Sequence, residues 1–261
     1  MNDILKNYQP ITLEEMKDVR LMNRTDTKFV TTVAKLRQLL KMAAKDYRVQ
    51  EIKGERIAPY YTVYFDTSDY DMFNVHQCGH CNRQKLRIRS YVDSHLNFLE
   101  IKTKNSHGRT YKSRVPMKTF DPMNPDYDIS FKSQNEEFKA YNAFFYEHLA
   151  YAPELLHEQL ENNFRRITLV NRHKTERLTI DMNLRFHNLT TDRSVSMDNL
   201  VVIELKRGGL EPSPILDMLR TLRIHPLGFS KYCIGTAFTN QYIRANRFKP
   251  QLRTLKKMMC Q

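Results

Sequence analysis

Tryptophan is absent from this chain of 261 residues, and glycine occurs only seven times. At the usual ~7% a chain of this length would hold more than twice as many glycines. That scarcity argues against nucleotide sites built on glycine-rich loops, and neither G-x-x-x-x-G-K-[ST] nor G-x-G-x-x-G occurs. Four cysteines are too few for a disulfide scaffold and suit a reducing compartment. Long apolar runs are missing as well: the stretch from Tyr232 to Ile243 is uncharged but too short and too polar to span a bilayer. The opening MNDILKNYQPITLEEM has no basic segment leading into an apolar one. A soluble, cytoplasmic protein with no transmembrane segment is expected. With no repeat, low-complexity tract or long linker, residues 1–261 are expected to form one domain.

What the chain does have is positive charge and aromatic side chains. Lys and Arg number 42 against 29 Asp and Glu, a net charge of +13 that calls for an anionic partner: nucleic acid, a phosphorylated metabolite, polyphosphate or an anionic membrane surface. Fourteen Phe and fourteen Tyr provide for a real core and exclude wholesale disorder. Helices are predicted over residues 13–22, with Thr12 and Glu15 as a capping box, over 33–47, over 136–149, and from Ser213-Pro214 onward. Between them, eight segments rich in β-branched and aromatic residues read as strands: 28–32, 60–66, 83–92, 97–104, 109–117, 165–174, 177–186 and 200–206. Several are joined by few residues, as antiparallel hairpins require. The pattern predicts an α+β fold, an eight-stranded antiparallel β-barrel with peripheral helices.

Strand side chains alternate faces, so parity sorts them. Arg83, Lys85, Arg87, Arg89 and Tyr91 share one face, against Leu86, Ile88 and Val92. Glu100, Lys102 and Lys104 oppose Leu99 and Ile101; Lys112 and Arg114 oppose Tyr111 and Val115. Arg172 and Lys174 oppose Ile167 and Leu169; Asp181, Asn183 and Arg185 oppose Ile180, Met182 and Leu184; Glu204 and Lys206 oppose Val201, Ile203 and Leu205. A solvated sheet face also alternates in this way. Such a face normally mixes signs, however, whereas like charges opposite one another on neighbouring strands repel by ~0.2–1 kcal/mol per pair. Faces turned inward would form a cationic channel, stabilised by an anion through charge-assisted hydrogen bonds. Glu204, Glu100, Asp26 and Asp181 on the same parity could then hold Mg²⁺ or Mn²⁺.

An ordered set of short motifs carries a resemblance. Arg24-Thr-Asp26-Thr-Lys28-Phe, Tyr64-Phe-Asp66-Thr, Arg83-Gln-Lys85-Leu-Arg87-Ile-Arg89 and Glu100-Ile-Lys102 come first. Val170-Asn171-Arg172, Thr179-Ile-Asp181, Val202-Ile-Glu204-Leu-Lys206 and Phe229-Ser230-Lys231-Tyr follow. Together they resemble the VTC domain, the polyphosphate polymerase domain of the triphosphate tunnel metalloenzyme superfamily, over nearly the whole chain. The resemblance implies an eight-stranded tunnel that binds the triphosphate of ATP with a divalent metal, Mn²⁺ or Mg²⁺, and passes the terminal phosphoryl group to polyphosphate. By position it implies phosphate contacts from Lys28, Arg87, Arg89, Lys102, Lys112, Arg114, Arg172, Ser230 and Lys231. Arg87, Arg89, Arg172 and Lys231 would act on the transferring group, and Glu204 would hold the metal. Two motifs depart from the pattern. Arg24 and Asp26 stand where the superfamily has two glutamates, which leans toward the polymerase branch, and Gly228 replaces a lysine. A tripolyphosphatase and a non-catalytic polyphosphate or inositol-phosphate binding module remain alternatives.

Other signals are weaker. The segment His76-Gln-Cys78-Gly-His80-Cys81 lacks the second ligand pair of a zinc knuckle. Arg244, Arg247, Lys249, Arg253, Lys256 and Lys257 make a basic tail, read as a solvated terminus. Tyr60, Tyr61, Tyr64 and Phe65 read as core rather than as a base-stacking platform. Nucleic acid is not the expected partner, because the cations alternate along strands instead of lining a helix.

Overall fold

The computed structural model describes residues 1–19, 24–118, 120–121, 136–209 and 212–260. Eleven strands occur among them: β1 (Gln9–Ile11), β2 (Arg24–Thr32), β3 (Tyr47–Gln50), β4 (Ala58–Thr67), β5 (Arg83–Tyr91), β6 (Leu96–Lys104), β7 (Thr110–Met117), β8 (Leu156–Asn171), β9 (Glu176–Asn188), β10 (Arg193–Met197) and β11 (Leu200–Gly208). The helices are α1 (Asn2–Leu5), α2 (Val33–Ala43), α3 (Asp71–Gln77), α4 (Glu136–His148), α5 (Pro214–Thr221), α6 (Lys231–Thr239) and α7 (Lys249–Met259). The fold is α+β. Eight strands form one antiparallel path, β2-β11-β9-β8-β4-β5-β6-β7, as the alternation predicts.

Three features differ from expectation. The short strands β1, β3 and β10 are additions at the margins, too brief to show a period. The path is not closed by hydrogen bonds, because β2 and β7 do not pair. Instead the free edge of β2 is covered by the segment leading into α6: Phe29 bridges Pro226, and the Leu227 amide donates to the Lys28 carbonyl at 2.9 Å. The first predicted helix is a single 3₁₀ turn, Glu15–Asp18. Its capping box does form, with the Thr12 amide donating to Glu15 at 2.8 Å and the Glu15 amide to Thr12 Oγ1 at 3.2 Å. Residues 20–22 of that predicted helix lie outside the described residues.

The outward sheet face carries the apolar parity and is covered by helices in two places, while a third helix group packs on one end of the inward face. Leu36, Leu39 and Leu40 of α2, with Ile215 and Leu219 of α5, pack on Ile167, Leu169, Ile180, Val201 and Ile203. On the inward side, Tyr232 and Ile234 of α6, with Leu255 of α7, share a cluster with Leu160, Leu184, Phe186 and Val202. Val202 lies opposite Asp181, and Leu160 opposite Tyr64, which in turn lies opposite Arg87. Met72 of α3, with Tyr141 and Phe145 of α4, packs on Val63, Phe65, Leu86, Ile88, Leu99 and Ile101. Each such side chain contributes ~1.5–3 kcal/mol by leaving water. A sheet armoured on its outward side curls toward the other under its own twist. Register shifts between β4 and β8 at Tyr64/Phe65, and between β8 and β9 at Asn163/Arg165, bend it further. Among the described residues no helix is long and apolar enough to cross a membrane.

Candidate functional site

The inward face of the curled sheet is a cup lined by charge. Register sets Lys28 opposite Glu204, Asp26 opposite Lys206, Lys85 opposite Lys102, Arg87 opposite Glu100, and Glu100 opposite Arg114. The far walls meet across the interior. Lys85 on β5 donates to Ser230 Oγ at 2.6 Å, and the next residue, Lys231, bonds Asp181 on β9. The start of α6 therefore spans the cup from one wall to the other. Ser230 also caps that helix, accepting from the Cys233 amide at 3.2 Å.

Three carboxylates are each clamped between two cations. Glu100 meets Arg87 at 2.6 Å and also Lys112. Asp181 receives a fork from Arg166, at 2.6 and 2.9 Å, and also Lys231. Glu204 lies between Lys28 and Lys206, and Lys206 also reaches Asp26 at 3.7 Å. Burial opposes ionisation of all three carboxyls, but their cations outweigh it. Glu100 is held down to about 2 by Arg87, Arg89 and Lys112. Asp181 is held well below the carboxylate range by Arg166 and Lys231, and Glu204 by Lys206 and Lys28.

The cations left over are not at ease. Arg89 is 7% exposed, and its buried Nε has no hydrogen-bond partner among the described residues. Its affinity for a proton is lowered by burial and by Arg87 and Arg166 beside it. Lys102 is open to water along the cup yet walled by protein; desolvation, then Lys28 and Arg87, push its ammonium down to about 7. Lys231 is lowered to about 8, chiefly by burial, even with Asp181 against it. Frustration of this kind is what an unneutralised polyanion site looks like.

Lys28, Arg87, Arg89, Lys102, Lys112, Ser230, Lys231 and Glu204 thus share the inward face, with Arg114 on the edge strand, its guanidinium 4.4 Å from the Phe98 ring. Arg172 does not join them. Strand β8 ends at Asn171, whose side chain accepts the Thr175 and Glu176 amides and turns the chain. Arg172 is exposed and donates to the Lys45 carbonyl at 2.6 Å. The inward guanidinium of β8 is Arg166, missed although it shares the parity of Arg172 within the predicted strand. Lys85 and Lys206, read as inward by parity, also belong to the site.

Asp66 has a different part. It is fully buried and accepts the Thr67, Met72 and Phe73 amides at 2.8–2.9 Å and the Tyr232 hydroxyl at 2.5 Å, tying α3 and α6 to β4. Cys78 and Cys81 are exposed thiols, and no group of three metal-binding side chains occurs among the described residues. The basic tail forms α7, with Leu255 buried and Lys249, Arg253, Lys256 and Lys257 in solvent. The run of aromatics divides: Tyr64 and Phe65 are core, Tyr61 is half-buried against Phe120, and Tyr60 faces the cup.

The VTC domain family matches residues 23–240, which takes in every inward residue named above. The chain belongs to the VTC domain family. No curated protein matches it. Among solved structures, a putative adenylate cyclase from Bacillus halodurans is 13% identical, with a TM-score of 0.46 over 80% of this chain and 96% of that one. Putative adenylyl cyclase HpAC1 from Hippeastrum, whose description reports a dominant triphosphatase activity, is 17% identical. Its TM-score is 0.46 over 85% of this chain and 98% of that one. A putative adenylate cyclase from Vibrio parahaemolyticus is 8% identical, with a TM-score of 0.44 over 81% and 96%.

Proposed function

We propose that the cup binds the linear triphosphate of ATP and of inorganic polyphosphate and transfers the terminal phosphoryl group to a growing polyphosphate chain. The observation that carries this reading is the surplus of inward cations: three carboxylates are each clamped between two cations, and Arg89, Lys102 and Lys85 form no salt bridge among the described residues. Phosphoryl transfer needs positioning and charge neutralisation more than covalent help from the protein. In this reading Arg87, Arg89 and Lys231 neutralise the transferring group. Lys28, Lys102, Lys112, Arg114 and Ser230 hold the flanking phosphates, and Arg166 takes the place expected of Arg172. Glu100, Asp181 and Glu204, ionised and already clamped, are poor general bases. That favours a phosphate anion over water as the nucleophile.

The donor set fits a divalent ion only in company with substrate. The described residues form no carboxylate cage, but Mg²⁺ is commonly held by one or two carboxylates plus substrate phosphates. Glu204, with Asp26 across Lys206, would be those carboxylates. An ion held there would supply Lewis-acid neutralisation of phosphate oxygens. The test is to incubate the protein with ATP and Mn²⁺ or Mg²⁺ and resolve the products. ADP with lengthening polyphosphate supports the reading, and Arg87→Ala abolishes it. Orthophosphate without chain growth points to a tripolyphosphatase, and tight tripolyphosphate binding with no product points to a binding module.

A further inference from the structure

Toward one end of the cup the inward face changes from charge to rings. Tyr60 lies opposite both Tyr91 and Phe164, and Phe98 lies opposite Arg89. Tyr60 stacks on Phe164 with centroids 5.1 Å apart and planes 15° from parallel; Tyr91 meets Tyr60 at 5.0 Å and Phe98 nearly edge-on at 5.9 Å. Phe164 is buried and, with Tyr60, belongs to the core cluster under α6. Tyr91 and Phe98 are half-buried and belong to none of the three apolar clusters; they meet Tyr60, Arg114 and each other instead.

Their position does suggest a use. Along β5 the order is Lys85, Arg87, Arg89, then Tyr91. From Arg87 to Tyr91 the strand advances about 13 Å, comparable to the reach of a nucleoside triphosphate from its terminal phosphate to its base. Arg89, with its buried and unpartnered Nε, stands between the two zones. We propose that Tyr91 and Phe98, backed by Tyr60 and by the Arg114 guanidinium on Phe98, form a ledge on which a nucleobase stacks. The cup then takes a nucleoside triphosphate in preference to a bare inorganic chain. Every base has a π face, so the ledge is tolerant of base identity. This inference rests on the proposed triphosphate site and adds the residues that meet the nucleoside attached to it.

Calorimetry with ATP and with inorganic tripolyphosphate, on wild type, Tyr91→Ala and Phe98→Leu, tests it. Phe98→Leu keeps apolar volume while removing the ring, and circular dichroism verifies folding. Wild type is expected to bind ATP more tightly than tripolyphosphate. Each variant is expected to lose about tenfold in ATP affinity and less than about twofold for tripolyphosphate. Because the chain has no tryptophan, the emission of ethenoadenosine triphosphate provides a second readout, changing on binding to wild type and much less with either variant. Equal losses for both ligands, or no loss for either, would overturn the ledge while leaving the phosphate site standing. A wild type that binds no tripolyphosphate would overturn the parent reading, and the ledge with it.

Discussion

The two faces of the sheet are made by the same strands, residue by alternate residue, and they obey opposite rules. Outward, Leu86, Ile88, Leu99 and Ile101 are almost wholly buried under helices, and every contact stabilises the fold. Inward, Arg87, Arg89, Lys102 and Lys231 crowd like charges together in partly desolvated space. The outer face supplies stability that offsets the strain of the inner face, a strain the proposed anion would relieve.

Substitutions on the two faces should therefore diverge. The largest loss of stability is expected for Asp181→Ala, which leaves Arg166 and Lys231 facing each other without their anion, a change of about 3–5 kcal/mol. Ile101→Ala on the outer face is expected to cost about 2–5 kcal/mol. Urea unfolding with and without tripolyphosphate separates them: the ligand should restore a larger share of the stability lost in Asp181→Ala. Arg89→Met should do the reverse of Ile101→Ala. Its unfolding midpoint without ligand should hold or rise, because a desolvated charge is gone, while tripolyphosphate affinity falls roughly 10–100-fold with the lost charge-assisted bond.

Protonation sharpens the same contrast. Lys102 and Lys231 ionise near 7 and 8 in the folded chain, below the ~10.4 of an unfolded lysine. Between those values the unfolded state binds more protons, so these two groups make the unliganded protein more stable as pH rises from about 7 to about 10, their full penalty applying below 7. Phosphate restores the ammonium form, so binding should take up protons and weaken above pH 8. Calorimetry in buffers of different ionisation enthalpy measures that uptake. The smallest effect is expected for Gly228→Lys. A Cβ at Gly228 meets nothing within 4 Å, and φ there is not in the left-handed range. The variant should fold with unchanged stability and bind tripolyphosphate a few-fold more tightly, or equally if the new ammonium stays in solvent.

Alternation makes both faces legible in the sequence: Arg87 with Arg89, Glu100 with Lys102, and Glu204 with Lys206 stand where parity puts them. What parity could not give was the end of a strand. Arg172 keeps the right phase, but the side-chain turn at Asn171 stops β8 one residue earlier, and Arg166 takes the inward place. Nor could it show that Asp66 is a strut between α3 and α6, because four donors from three segments meet there only in the folded chain. The seam was also illegible: β2 is covered by Pro226–Leu227, nearly two hundred residues later, through backbone groups that carry no sequence signature.

The central claim is that these side chains converge on a site for a linear polyanion. Titration of inorganic tripolyphosphate into wild type and Arg89→Ala, at two salt concentrations, examines it most directly. The account predicts saturable binding to wild type that weakens with salt and falls at least tenfold in Arg89→Ala. Millimolar tripolyphosphate that releases no heat, or equal affinity in the two proteins, would contradict it.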